Sequence, residues 1–276
     1  MTKIYLLGNS TRIQMFGCVI CSDDKTVVID GGTTGDYTQL ADIIKEKGRG
    51  FVDGWFFTHP HHDHIGAFVE LIRNNPEIRI EKIFYNFPDI EILKKYGSRR
   101  DDELRLWTEF IELTNKYFVN KVQCVESDDV FSFDGIEVSV LRVYNPEITS
   151  DFVNNSSAVY RIDSMGKSIL ILGDLGEEGG EELMKNCSFE KLHTDYTQLA
   201  HHGQGGVNEE FYKYIKPQRC IWASPEWLWN NDNGNGFDSG PWKTVETRNW
   251  MKKLGVKEHI VEKDGTVEIV FAKQTQ

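Results

Sequence analysis

The sequence predicts an α/β protein folded as a four-layer αββα sandwich. Two observations predict it. Short apolar strands mix with amphipathic helical patterns in both halves of the chain, which requires two β-sheets with helices on their outer faces. In each half an apolar strand runs directly into reactive side chains: Trp55–Thr58 into a histidine cluster, and Ser168–Leu172 into Gly173-Asp174. The chain has 276 residues, 39% hydrophobic and 12% aromatic, enough for a sizeable core in one large domain spanning 1–276.

Ile4–Leu7, Cys18–Cys21 and Thr26–Ile29 read as strands between polar or glycine turns, the last ending on Asp30 and two glycines. Residues 36–47 read as a helix with Leu40, Ile43 and Ile44 on one face. After the strand Trp55–Thr58, an amphipathic helix follows Gly66 and ends before Pro76. Ile80–Tyr85 is a strand, and 101–118 is the longest helical pattern, with Leu104, Trp107, Phe110 and Ile111 on its apolar face. In the second half, Ser132–Val143 carries two strands around Asp134-Gly135, and 158–163 and 167–172 form a hairpin turning at Met165-Gly166. A helix at 177–185, a strand at 197–200, a helix at 208–215, a strand at 219–223, a helix at 243–254 and a terminal hairpin at 259–271 complete the chain.

The net charge is −12, from 31 basic and 43 acidic residues. Such a field repels nucleic acid, so long DNA or RNA is not an expected partner, whereas a small phosphoester remains open. No window approaches about 18 consecutive apolar residues, so no membrane span is expected. The first twenty residues lack the build of a secretory leader, and the expected location is the cytoplasm. The five cysteines fit that location. Cys18 and Cys21 form a C-x-x-C, but strand alternation sends them to opposite faces, so they read as buried small residues rather than a metal pair.

Four of the eight histidines fall between positions 59 and 64. Imidazole and carboxylate together are the donor set for zinc, iron or manganese. In an extended loop His59 and His61 can reach one metal, while Asp63 and His64 follow at a turn and can reach a second. His62 falls between them and reads as a supporting or solvent-facing residue. Asp174 emerges at a strand tip, where one carboxylate can bridge two metals about 3.5–4 Å apart. In His201-His202-Gly203 one histidine closes the second metal and the other faces the substrate. His202 is preferred as the ligand and His201 as the acid. Asp30 is placed to hydrogen-bond a ligand histidine and set its tautomer.

These residues resemble the metallo-β-lactamase superfamily, with Asp30, His59, His61, Asp63, His64, Asp174 and His202 at its usual stations. Within it, the chain looks most like the branch that includes the metallohydrolase domain of competence-type DNA-uptake proteins and phosphorylcholine esterases. Asn154–Val159 before the Gly-Asp strand, the doubled His-His-Gly at 201–203, and Leu254-Gly255 followed by Asp264–Ile269 carry that finer match. The resemblance implies the metallo-β-lactamase fold and one or two zinc ions, with manganese or iron as alternatives. It also implies a third histidine on the first metal, yet no histidine occurs between 64 and 193. Asn86, in the strand near that place, or water takes the position. Having no membrane span, the chain is not expected to be an uptake channel itself.

The expected reaction is hydrolysis by a metal-activated water. Asp63 helps hold the metal, Asn154 or Ser156 stabilises developing negative charge, and His201 protonates the leaving oxygen. The substrate expected first is a phosphodiester or phosphorylcholine-type ester. A carboxylic ester, lactone or amide is the alternative, and a metal-binding module without catalysis is the other. The aromatic run Trp222–Trp229 and the loop 230–240 read either as core and connector or as a pocket wall. In the latter case Trp227 offers a cation–π face to a group such as choline.

Overall fold

Runs of β-branched and aromatic residues set the strands, and Gly/Asp turns end them. The computed structural model describes residues 1–75, 77–97 and 100–273. Its first half carries strands β1 (Thr2–Leu6), β2 (Gly17–Cys21), β3 (Thr26–Asp30), β4 (Phe51–Val52), β5 (Gly54–Phe56), β6 (Arg79–Ile80), β7 (Ile83–Tyr85) and β8 (Val122–Cys124). Its helices there are α1 (Tyr37–Glu46), α2 (His62–Asn74), α3 (Ile90–Tyr96) and α4 (Asp101–Tyr117). The second half carries strands β9 (Val130–Phe133), β10 (Ile136–Arg142), β11 (Val159–Ser164), β12 (Lys167–Ile171), β13 (Tyr196–Gln198), β14 (Arg219–Trp222), β15 (Glu258–Val261) and β16 (Val267–Phe271). Helices α5 (Phe152–Asn155), α6 (Glu177–Asn186), α7 (Phe189–Leu192), α8 (Glu209–Ile215), α9 (Glu226–Trp229) and α10 (Thr244–Lys253) lie among them.

Two seven-stranded sheets result, ordered β16-β1-β2-β3-β5-β7-β8 and β15-β14-β13-β12-β11-β10-β9. Each is antiparallel at one end and parallel at the other, with the change at β3 in the first and β12 in the second. Strand alternation divides the apolar residues among three layers. Val27 and Ile29 enter the core between the sheets, against Val138, Ile162 and Ile171 of the second sheet. Val28 turns the other way and packs with Leu40, Ile65, Phe68 and Trp107 of the helices. On the far side, Leu170 and Cys220 pack with Leu183, Phe211 and Met251. This is the αββα sandwich. The same alternation puts Cys18 in the central layer and Cys21 in the helix-covered one, both free thiols.

Three expectations are corrected. The terminal strands are not a hairpin: β15 pairs in parallel with β14, whereas β16 pairs antiparallel with β1 in the other sheet. A turn-linked strand pair and a crossover between sheets share one sequence pattern, and only the available edges distinguish them. Helix α2 starts at His62, not after Gly66, so the metal-type residues occupy its first turn. Those polar residues hide its start from apolar periodicity. The strand expected at 80–85 is broken, β6 pairing with β4 while β7 joins the large sheet. Pro76, expected to end α2, lies outside the described residues. Among the described residues no helix is long and apolar enough to cross a membrane.

Candidate metal centre

Strands β3, β5 and β12 deliver their C-terminal ends to one edge of the sandwich. Thr58, just past β5, ties this edge together. Its carbonyl accepts from Ala158 N at 2.8 Å, and its own N–H donates to Asp30 Oδ1 at 2.8 Å. From there His59 and Pro60 run on to His61, whose extended backbone (φ −70°, ψ 153°) caps α2 and turns Asp63 and His64 inward on the first helical turn. Gly173 stands at the end of β12 with φ of +56°, where an added Cβ would meet Thr58 Cβ at 2.9 Å. Only glycine passes there, and it presents Asp174 beside the histidines.

Asp30 is fully buried and accepts from Thr58 N, from Thr58 Oγ1 at 2.7 Å and from His64 Nδ1 at 2.8 Å. Spending Nδ1–H on Asp30 leaves His64 Nε2 as a lone-pair donor, 3.2 Å from Asp174 Oδ1. His202 is oriented in the same manner: Nδ1 donates to Ala223 O at 2.8 Å, and Nε2 lies 3.2 Å from both Asp63 Oδ2 and Asp174 Oδ2. His59 Nε2 stands 3.8 Å from Asp174 Oδ2 and 3.0 Å from His61 Nδ1. The structure thus gathers two sets, Asp63/His64/Asp174/His202 and His59/His61/Asp174, whose ligand atoms lie within 4.8 Å of one another in each set. Asp174 is common to both. His64 Nε2, Asp174 Oδ1 and His202 Nε2 are buried without a hydrogen-bond partner. Buried polar atoms are rarely left so, and nitrogen and oxygen donors converging in this way fit a divalent metal.

A family model described as the metallo-beta-lactamase superfamily matches residues 16–146. The chain is 28% identical over 185 residues to ComE operon protein 3 of Bacillus subtilis (strain 168), covering 66% of this chain and 21% of that protein. It is 39% identical over 59 residues to hydroxyacylglutathione hydrolase of Aliivibrio fischeri (strain MJ11), covering 21% of this chain and 22% of that one. The matched part thus spans about a fifth of the length of either relative. Among solved structures, the metallo-beta-lactamase fold protein YhfI from Bacillus subtilis superposes with a TM-score of 0.55 at 13% identity, covering 98% of this chain and 100% of that one. Residues 16–146 thus match the metallo-beta-lactamase superfamily model, and the whole chain shares the fold of the solved metallo-beta-lactamase fold protein. It has that fold and carries a His/Asp cluster able to bind metal ions.

The electrostatics of this site are those of a cation trap. Burial pushes Asp174 up, but His202 and His64 outweigh it and hold the carboxyl well below the usual range. Burial likewise opposes, and His202 and His64 overcome, in Asp63, which is also held down. His202 is pushed up to about 10, Asp174 and Asp63 prevailing over burial. His64 is raised well above its ordinary value by Asp174 and Asp30, again against burial. His59 and His61 are lowered, chiefly by burial, and stay neutral. Two ionised carboxylates in a dry pocket demand positive charge, which a divalent cation supplies while the imidazoles remain neutral ligands.

A cavity of about 990 Å³ opens over the site, with His61, His62, Asp63, Asp174, His201 and Trp227 in its wall. Of the doubled histidines it is the His202 ring that enters the cluster, while His201 faces the cavity. Both adopt left-handed backbone, with φ of 50° and 57°. His62 lies on the wall with its Nε2 3.3 Å from Thr34 N. Trp227 packs on Trp242 and donates from Nε1 to Arg12 O at 2.8 Å.

Three expected pocket residues are not brought to this cavity. Asn86 spends its amide on Val125 O at 2.7 Å. Ser156 is fully buried and donates to Val153 O at 2.7 Å. Asn154 donates to Asp151 Oδ1 at 2.9 Å from within the short helix α5. In each case the side chain's donor is taken by a local partner, while Asn154 Oδ1 is buried without one among the described residues. Other wall residues carried no motif in the sequence. Gln14 Nε2 lies 3.4 Å from Asp63 Oδ2 and its carbonyl accepts from Gln204 at 2.7 Å. Arg12, Arg73, Arg100 and Arg105 also face the cavity. They come from separate loops and helices, and no spacing rule links them.

Proposed function

We propose that the chain hydrolyses a small phosphodiester or phosphorylcholine-type ester, with zinc held by His59, His61 and Asp174 at one site and by Asp63, His64, Asp174 and His202 at the other. The observation that carries the phosphoester is the placement of Arg12 and Arg105. Both face the cavity, and among the described residues neither is paired with a carboxylate. The chain as a whole has a net charge of −12, so guanidinium groups left without acidic partners beside the metal cluster support an anionic ligand. A bound divalent metal would supply a water of lowered pKa and a Lewis acid for the phosphoryl oxygens.

The chain's own groups do the remainder. Asp30 keeps His64 in the tautomer that points Nε2 at the cluster. The Gln204–Gln14 pair steadies Asp63. Arg12 and Arg105 bind the non-bridging oxygens and orient the phosphorus. His201, on the cavity wall, gives a proton to the leaving oxygen. Trp227 closes one side and offers its face to a cationic leaving group such as choline. A carboxylic ester or thioester is the second reading, supported by the local match to hydroxyacylglutathione hydrolase.

The test compares bis-p-nitrophenyl phosphate, p-nitrophenyl phosphorylcholine and a neutral lactone with zinc present. R12A and R105A are expected to raise KM for the phosphoesters about tenfold each, the loss of about 1.4 kcal/mol typical of one charge-assisted contact. Lactone turnover faster than phosphoester turnover, and insensitive to both variants, would overturn the phosphoester reading.

A further inference from the structure

The two halves of the metal centre are unequal. One set offers four protein groups and the other three, and the short one is His59/His61/Asp174. Helix α4 runs beside that short set. Trp107, 1% exposed, donates from Nε1 to the carbonyl of Pro60, between the two histidines. Glu103 is four residues earlier and so lies on the same helix face, one turn nearer the helix start. It shares the cavity wall with His61 and Asp174. Its side chain is 17% exposed, and Oε2 is buried with no hydrogen-bond partner among the described residues. Its ion-pair contact is with Arg100 at 3.6 Å, longer than a hydrogen bond.

We infer that Glu103 is the fourth protein group of the His59/His61/Asp174 site, taking the place that a third histidine would fill. The inference rests on the metal reading above. Glu103 stands outside the set whose ligand atoms already fall within 4.8 Å of one another, so its carboxylate reaches the ion by rotating about its side-chain torsions. Among the described residues, that rotation gives up the 3.6 Å contact to Arg100. A carboxylate in this place also adds a negative charge to a site that otherwise has one carboxylate and two neutral imidazoles, which favours a hard divalent cation.

Isothermal titration of metal-free protein with Zn²⁺, against a competing chelator, tests this without reference to turnover. Wild type is expected to bind two ions. H61A is expected to lose one of them. E103Q, which keeps the shape and removes the charge, is expected to retain both sites with one weakened by more than about 10-fold, the lower end of the range for groups that only support a metal ligand. D102N, its exposed neighbour, should titrate like wild type. Far-UV circular dichroism and melting in chelator check folding, and E103D, which keeps the charge and shortens the reach, should weaken the same site if E103Q does not fold. Wild-type titration of E103Q or E103D alongside loss of one ion in H61A would overturn the role of Glu103 alone. Two ions still bound by H61A would overturn the metal reading itself.

Discussion

Replacing Asp30 with Asn tests whether the site is built by tautomer control. In the native site Asp30 accepts three hydrogen bonds, two from Thr58 and one from His64 Nδ1. An asparagine keeps one oxygen, and its NH₂ group meets either the Thr58 N–H, from the Oδ1 position, or both Thr58 Oγ1 and His64 Nδ1, from the Oδ2 position. If it faces His64, that ring must accept at Nδ1 and carry its proton on Nε2, aimed at Asp174 rather than donating a lone pair to a metal. The metal-free fold also loses hydrogen bonds to a buried charge, worth about 1.5–3 kcal/mol. Zinc affinity should fall about 10–100-fold, or about 1.4–2.8 kcal/mol. Urea unfolding in chelator reads the first quantity and zinc titration the second. Zinc affinity within twofold of wild type would refute the claim that Asp30 sets the His64 tautomer.

Three further outcomes are expected. H201A should keep its bound metal by elemental analysis yet lose about 10²–10⁴-fold in kcat on a phosphodiester, with a smaller loss on substrates whose leaving group needs no proton. G173A should lower stability by about 1–3 kcal/mol in urea, because it forces alanine into a φ of +56° with Thr58 Cβ 2.9 Å away. Glu262 is 3% exposed, and neither carboxylate oxygen has a hydrogen-bond partner; burial holds it well above its ordinary 4.5, with His202 opposing. A carboxyl raised on folding contributes stability below its unfolded value and loses it as pH rises. E262Q, which cannot ionise, should therefore melt higher than wild type at neutral pH. The gap should close as pH falls toward 4.5, and a gap that widens instead would show that Glu262 is ionised in a favourable setting.

Much of the site was readable because local order and chemistry coincide there. His59, His61, Asp63 and His64 lie within six residues of one another, directly after a buried strand, so their convergence needs only an extended turn into a helix. Asp174 and His202 each follow an apolar strand, and strand ends in a sandwich of this kind collect at one edge. Asn86, Asn154 and Ser156 failed for a different reason. Their sequence neighbourhoods are right, but Val125 O, Asp151 Oδ1 and Val153 O take their donors. A polar side chain takes the nearest well-aligned partner, and sequence does not reveal which one that is.

Strand and helix patterning in both halves predicted the two-sheet architecture, and the histidine-rich segment with Asp174 predicted the metal-type donor set, because periodicity and ligand spacing are properties of consecutive residues. Tertiary structure alone decided the rest. It sent β15 and β16 to different sheets. It settled on His202, the ligand preferred from sequence, as the ring that enters the cluster. It also set Arg12, Arg105 and Glu103 around one cavity. Those choices depend on which distant strand edges and helix faces meet, and the contacts that decide them join residues tens to hundreds of positions apart, where no local pattern records the distance.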